Sequence, residues 1–401
     1  SEDPVVPQDS AEQLRAGLAQ AGHPGEVYAY AAGHAFARVG GPSYDPAASA
    51  LAWQRTDAFL RKHLGASADA AIALPPSRQA SFSEIPVLSI ASLGRGDAEE
   101  VATIDAIRKA SEEVGFFYVK DHGVDSALVQ SIFDQCKDFF ALPKAEREAL
   151  RITHSKVFAG YLSVGELGAN QSRPRDLLEA FNVCTELGAD DVYVKQGKPL
   201  YGANQWPASL PALKDAVVAY YGAMDQLGRR LLQAFAMALG QPRDAFDSQY
   251  AKPISQLRLL HYPAQESAMD EMLGARPHRD VGMFTILLQD DAGGLEVGNA
   301  SGEWVIAPPI EGTFVVNVGE MMKLLTNNHF ASALHRVVNR SGRQRFSVPF
   351  FYNPDYETRL ATLPQFDTAE RPTQFQPIQV GQHMHEFYRR LWPSAAPADA
   401  A

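Results

Sequence analysis

Beyond Ser255 the chain is cut into short apolar runs: "QLRLLHYP", "MFTILLQD", "LEVGN", "EWVIAP", "TFVVNVG", "ALHRVVNR" and "RFSVPFFYN", with turn residues between them. Runs this brief and this regularly spaced predict the strands of a β-sandwich or barrel. Inside the stretch "PHRDVGMFTILLQDDAGGLEV", residues 277–297, an imidazole and a carboxylate stand one residue apart. Side chains alternate along a strand, so His278 and Asp280 are expected on the same face.

An imidazole and a carboxylate so placed can bind one metal. A second imidazole is available in "SALHRVVN", where His335 follows Asp280 by 55 residues in another expected strand. Two His and one carboxylate on one face of an octahedral Fe(II) leave three positions open, which suits O2 and a chelating co-substrate. H-x-D alone is a weak signal. The segment "RQRFSVPFF" strengthens it, because Arg345 and Ser347 also share a strand face. A guanidinium beside a hydroxyl is a good clamp for a carboxylate. Tyr262, in "LRLLHYP", offers a phenol donor to the same kind of group.

The rest of the chain is mixed. "IPVLSI" and "FFYVKDHGV" read as strands, the second running into a turn. "GDAEEVATIDAIRKASEEVG" reads as a helix with Val101, Ile104 and Ile107 on one face. A long helical stretch is expected from about Asp125 to Leu150, then one or two helices ending at Gly240, and a closing helix in "HMHEFYRRLW". Residues 1–65 read as a small α/β piece, and residues 66–84, rich in Ala, Ser and Pro, as a linker. No internal repeat is found. Apolar residues make up 46% of the 401, enough to fill a large core. A net charge of −11 argues against nucleic acid or an anionic membrane as the main partner. Two cysteines, Cys136 and Cys184, suit a reducing cytoplasm. The first residues lack the basic and apolar regions of a signal peptide, and no run of eighteen apolar residues occurs to span a membrane.

The series "HRD…GGLEV…GTFVVNVGE…HRVVN…RFSVPFF" resembles the iron- and 2-oxoglutarate-dependent oxygenases of the isopenicillin N synthase-like superfamily. Upstream, "IPVLSI", "EEVGFFYVKDHGV" and "FFALPKAERE" resemble that family's N-terminal region, so the likeness runs from about Ile85 to Pro393. It implies a mainly β fold with flanking helices, a double-stranded β-helix or distorted jelly roll. The helical part would span 85–250, the β-helix core 251–360 and the C-terminal helix 377–393. By this resemblance His278, Asp280 and His335 would hold Fe(II), Arg345 and Ser347 would take the distal carboxylate of 2-oxoglutarate, and Tyr262 would touch it too. The implied cofactors are Fe(II), 2-oxoglutarate and O2, with ascorbate as a stimulant. The implied reaction couples oxidative decarboxylation of 2-oxoglutarate to hydroxylation, desaturation or ring closure of a small organic molecule. Two other readings stay open: an oxidase of the superfamily that does not use 2-oxoglutarate, and ethylene formation from 2-oxoglutarate. Two positions depart from the family: Leu260, where plant members often have Asn, and Arg279 between the ligands, where a small polar residue is common.

Three further residues are candidates for the substrate side. Arg258 has the parity of Tyr262, Phe351 has the parity of Ser347, and Phe181 in "LLEAFNV" matches a family segment near the active site. Asn317 and Glu320 are expected in a structural turn near the site. His261 should point away from Tyr262. His122 and His329 fit loops, and His383 and His385 diverge by about 200° on a helix.

The opening residues, "DPVVPQDSAEQLRAGL…VYAYAAGHAFARVGG", resemble the C-terminal end of dienelactone hydrolases, α/β-hydrolases with a Cys-His-Asp triad. Asp3 and His34 fall where that triad's Asp and His lie. No nucleophile elbow accompanies them, so the piece is expected to have no hydrolase activity. It reads as the tail of an upstream hydrolase portion in a longer fusion, the alternative being a remnant packed on the oxygenase.

Overall fold

The computed structural model describes residues 82–166, 176–265 and 273–392. The hydrolase-like segment, with Asp3 and His34, and the linker as far as residue 81 lie outside the described residues. The last residues of the expected linker are held in place, since Asn299 donates to the carbonyl of Phe82 at 3.0 Å.

Every one of the β runs forms a strand. The large sheet has the order β1 (Val87–Ser89), β2 (Phe116–Lys120), β10 (Phe314–Val318), β7 (Phe284–Gln289), β12 (Arg345–Tyr352), β5 (Gln256–Tyr262), β4 (Glu179–Cys184) and β3 (Gly160–Leu162). β1 and β2 run parallel, and all other neighbours in it run antiparallel. A smaller sheet has the order β6 (Ala275–His278), β11 (His335–Val337), β8 (Leu295–Gly298) and β9 (Trp304–Ile306). β13 (Arg359–Leu360) and β14 (Ile378–Gln379) make a separate pair.

The large sheet has two faces of different chemistry, and the alternation of β5 and β12 creates them. Leu257, Leu259 and His261 point to one side with Phe346, Val348 and Phe350, because these residues are paired or share parity across the ladder. Helices cover that outer side. Phe139 and Phe140 of α2 (Ser126–Ala141) meet Phe181 and His261, with ring centroids 4.4 and 5.3 Å apart. Tyr221 and Phe235 of α5 (Pro211–Ala238) meet Phe350 and Phe284. Each Phe so buried contributes roughly 2 kcal/mol. The other face of the same strands carries Arg258, Leu260 and Tyr262 beside Arg345, Ser347 and Phe351.

Some expectations need correction. Val101 is exposed; α1 (Ala98–Glu113) instead buries Glu100, Ile104 and Ile107. Glu100 accepts from the Gly94 and Gly96 N–H groups and pairs with Arg243, so a charged side chain occupies the buried stripe. The helix expected over 125–150 stops at Leu142, which is extended (ψ 151) because Pro143 follows. Only α3 (Lys144–Glu148) continues it. The part expected to be helical over 85–250 also contributes β3 and β4. Strand β4, "EAFNVC", is buried along its whole length and so lacks the polar alternation that marks a half-exposed strand. Helix α4 (Val192–Lys195) is a single turn, α6 (Glu320–Leu325) precedes the His335 strand, and the closing helix α7 spans Val380–Leu391. Among the described residues no helix is long and apolar enough to cross a membrane.

Two glycines of α5 give opposite predictions. Gly222 is exposed and has open space around it, so Gly222→Ala should stabilise by about 0.5–1 kcal/mol. A Cβ on Gly228 would come within 2.8 Å of the Tyr352 ring, so Gly228→Ala should destabilise by about 1–3 kcal/mol. Urea unfolding of both variants checks the packing of α5 on the outer face.

Candidate active site

Strand β6 ends at His278, and β11 begins at His335. The two are register partners in the antiparallel pair, which brings their rings to 4.2 Å between centroids. Asp280 lies just past the end of β6 rather than on it, so the same-strand argument that linked it to His278 holds for the outcome but not the mechanism. A turn delivers it. The carbonyl of Asp280 accepts from the Glu320 N–H at 2.8 Å, and Gly282 and Gly319 pack so closely that a Cβ on Gly319 would collide with the Gly282 carbonyl.

The three side chains converge. One ligand atom from each of His278, Asp280 and His335 lies within 4.8 Å of the others. Both Nε2 atoms stand 3.8 Å from Asp280 Oδ1. Each Nδ1 donates to a backbone carbonyl, His278 to Arg276 at 2.7 Å and His335 to Ala333 at 3.2 Å. That choice of tautomer leaves the Nε2 lone pairs free for a metal. The other carboxylate oxygen of Asp280 accepts from Thr285 Oγ1 at 2.5 Å and Asn317 Nδ2 at 2.8 Å. Burial alone would raise this carboxyl, but the charges of His335 and His278 and the Asn317 and Thr285 hydrogen bonds hold it below its ordinary value. His335 is pushed down to about 4, chiefly by burial and then by the charge of His278, so it is a neutral ligand at pH 7. Its ring lies edge-on to Phe116, 5.1 Å away. An anionic oxygen and two neutral imidazole nitrogens on one side of a point are a donor set that fits Fe(II).

Sequence reasoning treated Asn317 as a turn residue and did not single out Thr285. Both belong to the metal centre through Asp280, and both stand on the large sheet as register partners. Sequence alone could not mark them, because the face they share with Ser347 depends on the register that sets Phe351 opposite Thr285. Glu320, expected in a turn, instead begins helix α6. Arg279 ties the two ligand-bearing segments together: its Nε donates to the Ser332 carbonyl at 2.7 Å.

The inner face continues to Arg345, which is fully buried. Its Nε donates to the Gly293 carbonyl at 2.6 Å and its Nη1 to Ser347 Oγ at 3.0 Å. The first bond needs the Gly-Gly turn. Gly293 and Gly294 both have positive φ, and a Cβ on Gly294 would strike the Val338 carbonyl. The Tyr262 ring lies 4.6 Å from the guanidinium carbon. Nη2 has no hydrogen-bond partner, and no acid pairs with Arg345 among the described residues. A buried, orphaned guanidinium nitrogen beside a hydroxyl fits the carboxylate of a diacid co-substrate.

Of the remaining candidates, Arg258 and Phe351 share this inner face, with the Arg258 carbon 4.9 Å from the Phe351 ring. Phe181 does not. It is paired with Leu259, and its ring packs on Phe139 on the outer side, so it is a core residue. Its neighbour Asn182, opposite Arg258, takes the inner position. His261 faces outward as expected, bonded to Glu179 at 2.7 Å. His122 sits in its turn, accepting from Val124 N–H, and His329 pairs with Glu112.

Comparison with known proteins agrees with this geometry. Residues 253–354 match the 2OG-Fe(II) oxygenase superfamily model, and residues 85–209 match the non-haem dioxygenase in morphine synthesis N-terminal model. A homoarginine-6-hydroxylase of Glycine max is 34% identical over 319 residues, covering 76% of this chain and 96% of its own. The chain belongs to the 2OG-Fe(II) oxygenase superfamily. It is an Fe(II)- and 2-oxoglutarate-dependent dioxygenase that acts on small molecules, with His278, Asp280 and His335 as its facial triad. A 2-oxoglutarate-Fe(II) type oxidoreductase of Emericella nidulans is 32% identical over 77% of this chain and 91% of its own. Among solved structures, a full-length Neurospora crassa protein in complex with α-KG and thymine superposes with a TM-score of 0.67 at 26% identity, covering 79% of this chain and 99% of that one. The Dienelactone hydrolase family model matches residues 1–64, which lie outside the described residues.

Removing the Asp280 support should be felt at the metal. Asn317→Ala should weaken Fe(II) affinity by about 10–100-fold, measured by anaerobic titration, whereas His278→Ala or Asp280→Ala should abolish binding. Unfolded His titrates near 6.5 and folded His335 near 4, so the unfolded chain takes up the extra proton. The metal-free protein should therefore keep this contribution above about pH 6.5 and lose it as the pH falls towards 4, seen as a falling Tm that His335→Gln flattens.

Proposed function

We propose that 2-oxoglutarate is held by Arg345, Ser347 and Tyr262, and that the reaction is hydroxylation of a small organic substrate bound on the Arg258 and Phe351 side of the inner face. The observation that carries the co-substrate assignment is the orphaned Nη2 of a wholly buried Arg345. Leaving a guanidinium without a counter-ion in a dry interior costs several kcal/mol, and a carboxylate received there removes that cost. Ser347 adds a hydroxyl, and the Tyr262 ring keeps the guanidinium plane in place through its π-face. Leu260, opposite Ser347, makes this part of the pocket apolar.

Bound Fe(II) would supply O2 activation coupled to decarboxylation of 2-oxoglutarate to succinate and CO2 and to oxidation of a substrate C–H bond. The protein's own part is orientation and exclusion of water. Thr285 and Asn317 fix Asp280, the Ala333 and Arg276 carbonyls fix the two imidazoles, and Phe116 closes one side of His335. The two sheets are read as the double-stranded β-helix expected for the family. Relatives that hydroxylate homoarginine or bind thymine support a small polar substrate. The two cysteines are buried free thiols, which supports a cytoplasmic setting.

The test is anaerobic. Fe(II) followed by 2-oxoglutarate should give the weak visible charge-transfer band of the chelate. Arg345→Met should still take up iron while 2-oxoglutarate affinity drops roughly 30-fold or more. Iron uptake without the band in the wild type would sink the 2-oxoglutarate assignment and favour the oxidase reading.

A further inference from the structure

Among the described residues two arginines are buried, Arg345 and Arg258, and neither is paired with an acid. Several half-buried arginines among the described residues have carboxylate partners, as Arg147 has Glu179, Arg276 has Asp176 and Arg336 has Glu296, while Arg230 and Arg371 bond backbone carbonyls. Arg345 is explained by the co-substrate. Arg258 is not. Its Nε donates to Asn182 Oδ1 at 2.7 Å and its Nη2 to Gln256 Oε1 at 2.8 Å, both neutral amides. These bonds aim the group without cancelling its charge. Gln256 is itself steadied through Cys184, whose sulfur accepts from Gln256 Nε2 at 3.7 Å.

We propose that the primary substrate carries a carboxylate, and that Arg258 receives it at the end of the inner face opposite the Arg345 site. This rests on the 2-oxoglutarate reading above, which assigns Arg345 to the co-substrate. Arg258 and Tyr262 are four residues apart on β5, and Tyr262 is the register partner of Arg345. At about 3.3 Å per residue the two arginines are rooted roughly 13 Å apart along the sheet. Their head groups are pinned to different neighbours, Arg345 to Gly293 and Ser347, Arg258 to Asn182 and Gln256. They serve two ligands.

The surroundings of Arg258 select a flat anion. The Phe351 and Trp392 rings lie 4.9 and 5.4 Å from its central carbon. Trp392 is buried, and its indole N–H has no acceptor among the described residues. The place is thus rich in donors and short of acceptors. With Nε and one N–H of Nη2 committed, the remaining N–H groups lie along the Nη1–Nη2 edge, the fork that matches a planar carboxylate. The two rings suit an apolar or aromatic body behind it. Phe351, which lies against Arg258, is the register partner of Thr285, and Thr285 donates to Asp280, so the ladder leads from Arg258 to the metal centre.

The experiment uses the full chain loaded with Fe(II) and 2-oxoglutarate. Phenylacetate, cinnamate and hexanoate are each compared with their own primary amides, by binding and by triggered succinate release. The acids should bind at least tenfold more tightly than the amides. Arg258→Gln should raise the KM of the best acid roughly 30-fold or more, with a smaller change in kcat, and should abolish the preference for acid over amide. Amides that bind as well as acids, a panel in which no acid binds, or an acid preference that survives in Arg258→Gln would overturn the proposal. If the variant does not fold, the wild-type acid and amide comparison decides alone. The chelate band of the wild type separates the two readings: if it is absent the co-substrate assignment fails, and if it is present while amides match acids, this inference alone falls.

Discussion

The pairing of β6 with β11 is the contact on which the rest of the site depends. It is only a few residues long, yet its register sets His278 against His335. A slip of one residue would turn His335 to the other side of the sheet and leave no metal site. Such a short ladder cannot hold its own register, so other contacts fix it. Arg276 is tied to Asp176, Arg336 and Arg340 grip Glu296 on the adjacent strand, and Arg279 reaches the Ser332 carbonyl just ahead of His335. Val338 donates to the Gly294 carbonyl, in the turn that also positions Arg345 through Gly293. The metal ligands and the proposed co-substrate clamp therefore share one piece of backbone scaffolding.

The large sheet allows this because its two faces have separate duties. Its outer face is buried under α2 and α5 and supplies the apolar area that stabilises the domain. The inner face is then free to carry groups that would weaken a core: two arginines, an amide pair and the Thr285 and Asn317 hydrogen bonds to Asp280. Each is satisfied in part by a nearby side chain or a turn carbonyl. What remains unsatisfied, one nitrogen of Arg345 and the charge of Arg258, is the basis of the two ligand assignments proposed above.

Much of this was legible in the chain. Spacing alone put Arg345 and Ser347 on one face, and they are bonded to each other. His278, Asp280 and His335 were legible as a set, although Asp280 reaches the site through a turn and not along a strand. Where the sequence misled, the missing information was which side of an element faces what. Phe181 and Asn182 are adjacent, and the choice between them needed the register of β4 on β5. Val101 looked apolar enough to be buried, but Glu100, with Arg243 and two backbone donors, took the inward position. Strand β4 was invisible for the converse reason, since burial on both faces removes the alternation by which strands are read.

Charge balance connects the triad, the clamp and Arg258. Among the described residues the buried charged groups of the inner face are Asp280 and the two guanidinium groups, and an imidazole binds a metal in its neutral form. Adding a divalent iron leaves three positive charges there. In the arrangement proposed above, the 2-oxoglutarate dianion neutralises two of them, and one remains at the Arg258 end. An uncompensated charge in a dry pocket is costly, so the ligand that completes the site with least penalty is a monoanion. A neutral substrate would leave Arg258 facing its two amides with no counter-ion, and a dianion would overshoot. On the assignment proposed above, neutralisation of Arg345 by the co-substrate removes one cation from the shared interior, which leaves Arg258 as the remaining attractor for the substrate's anion.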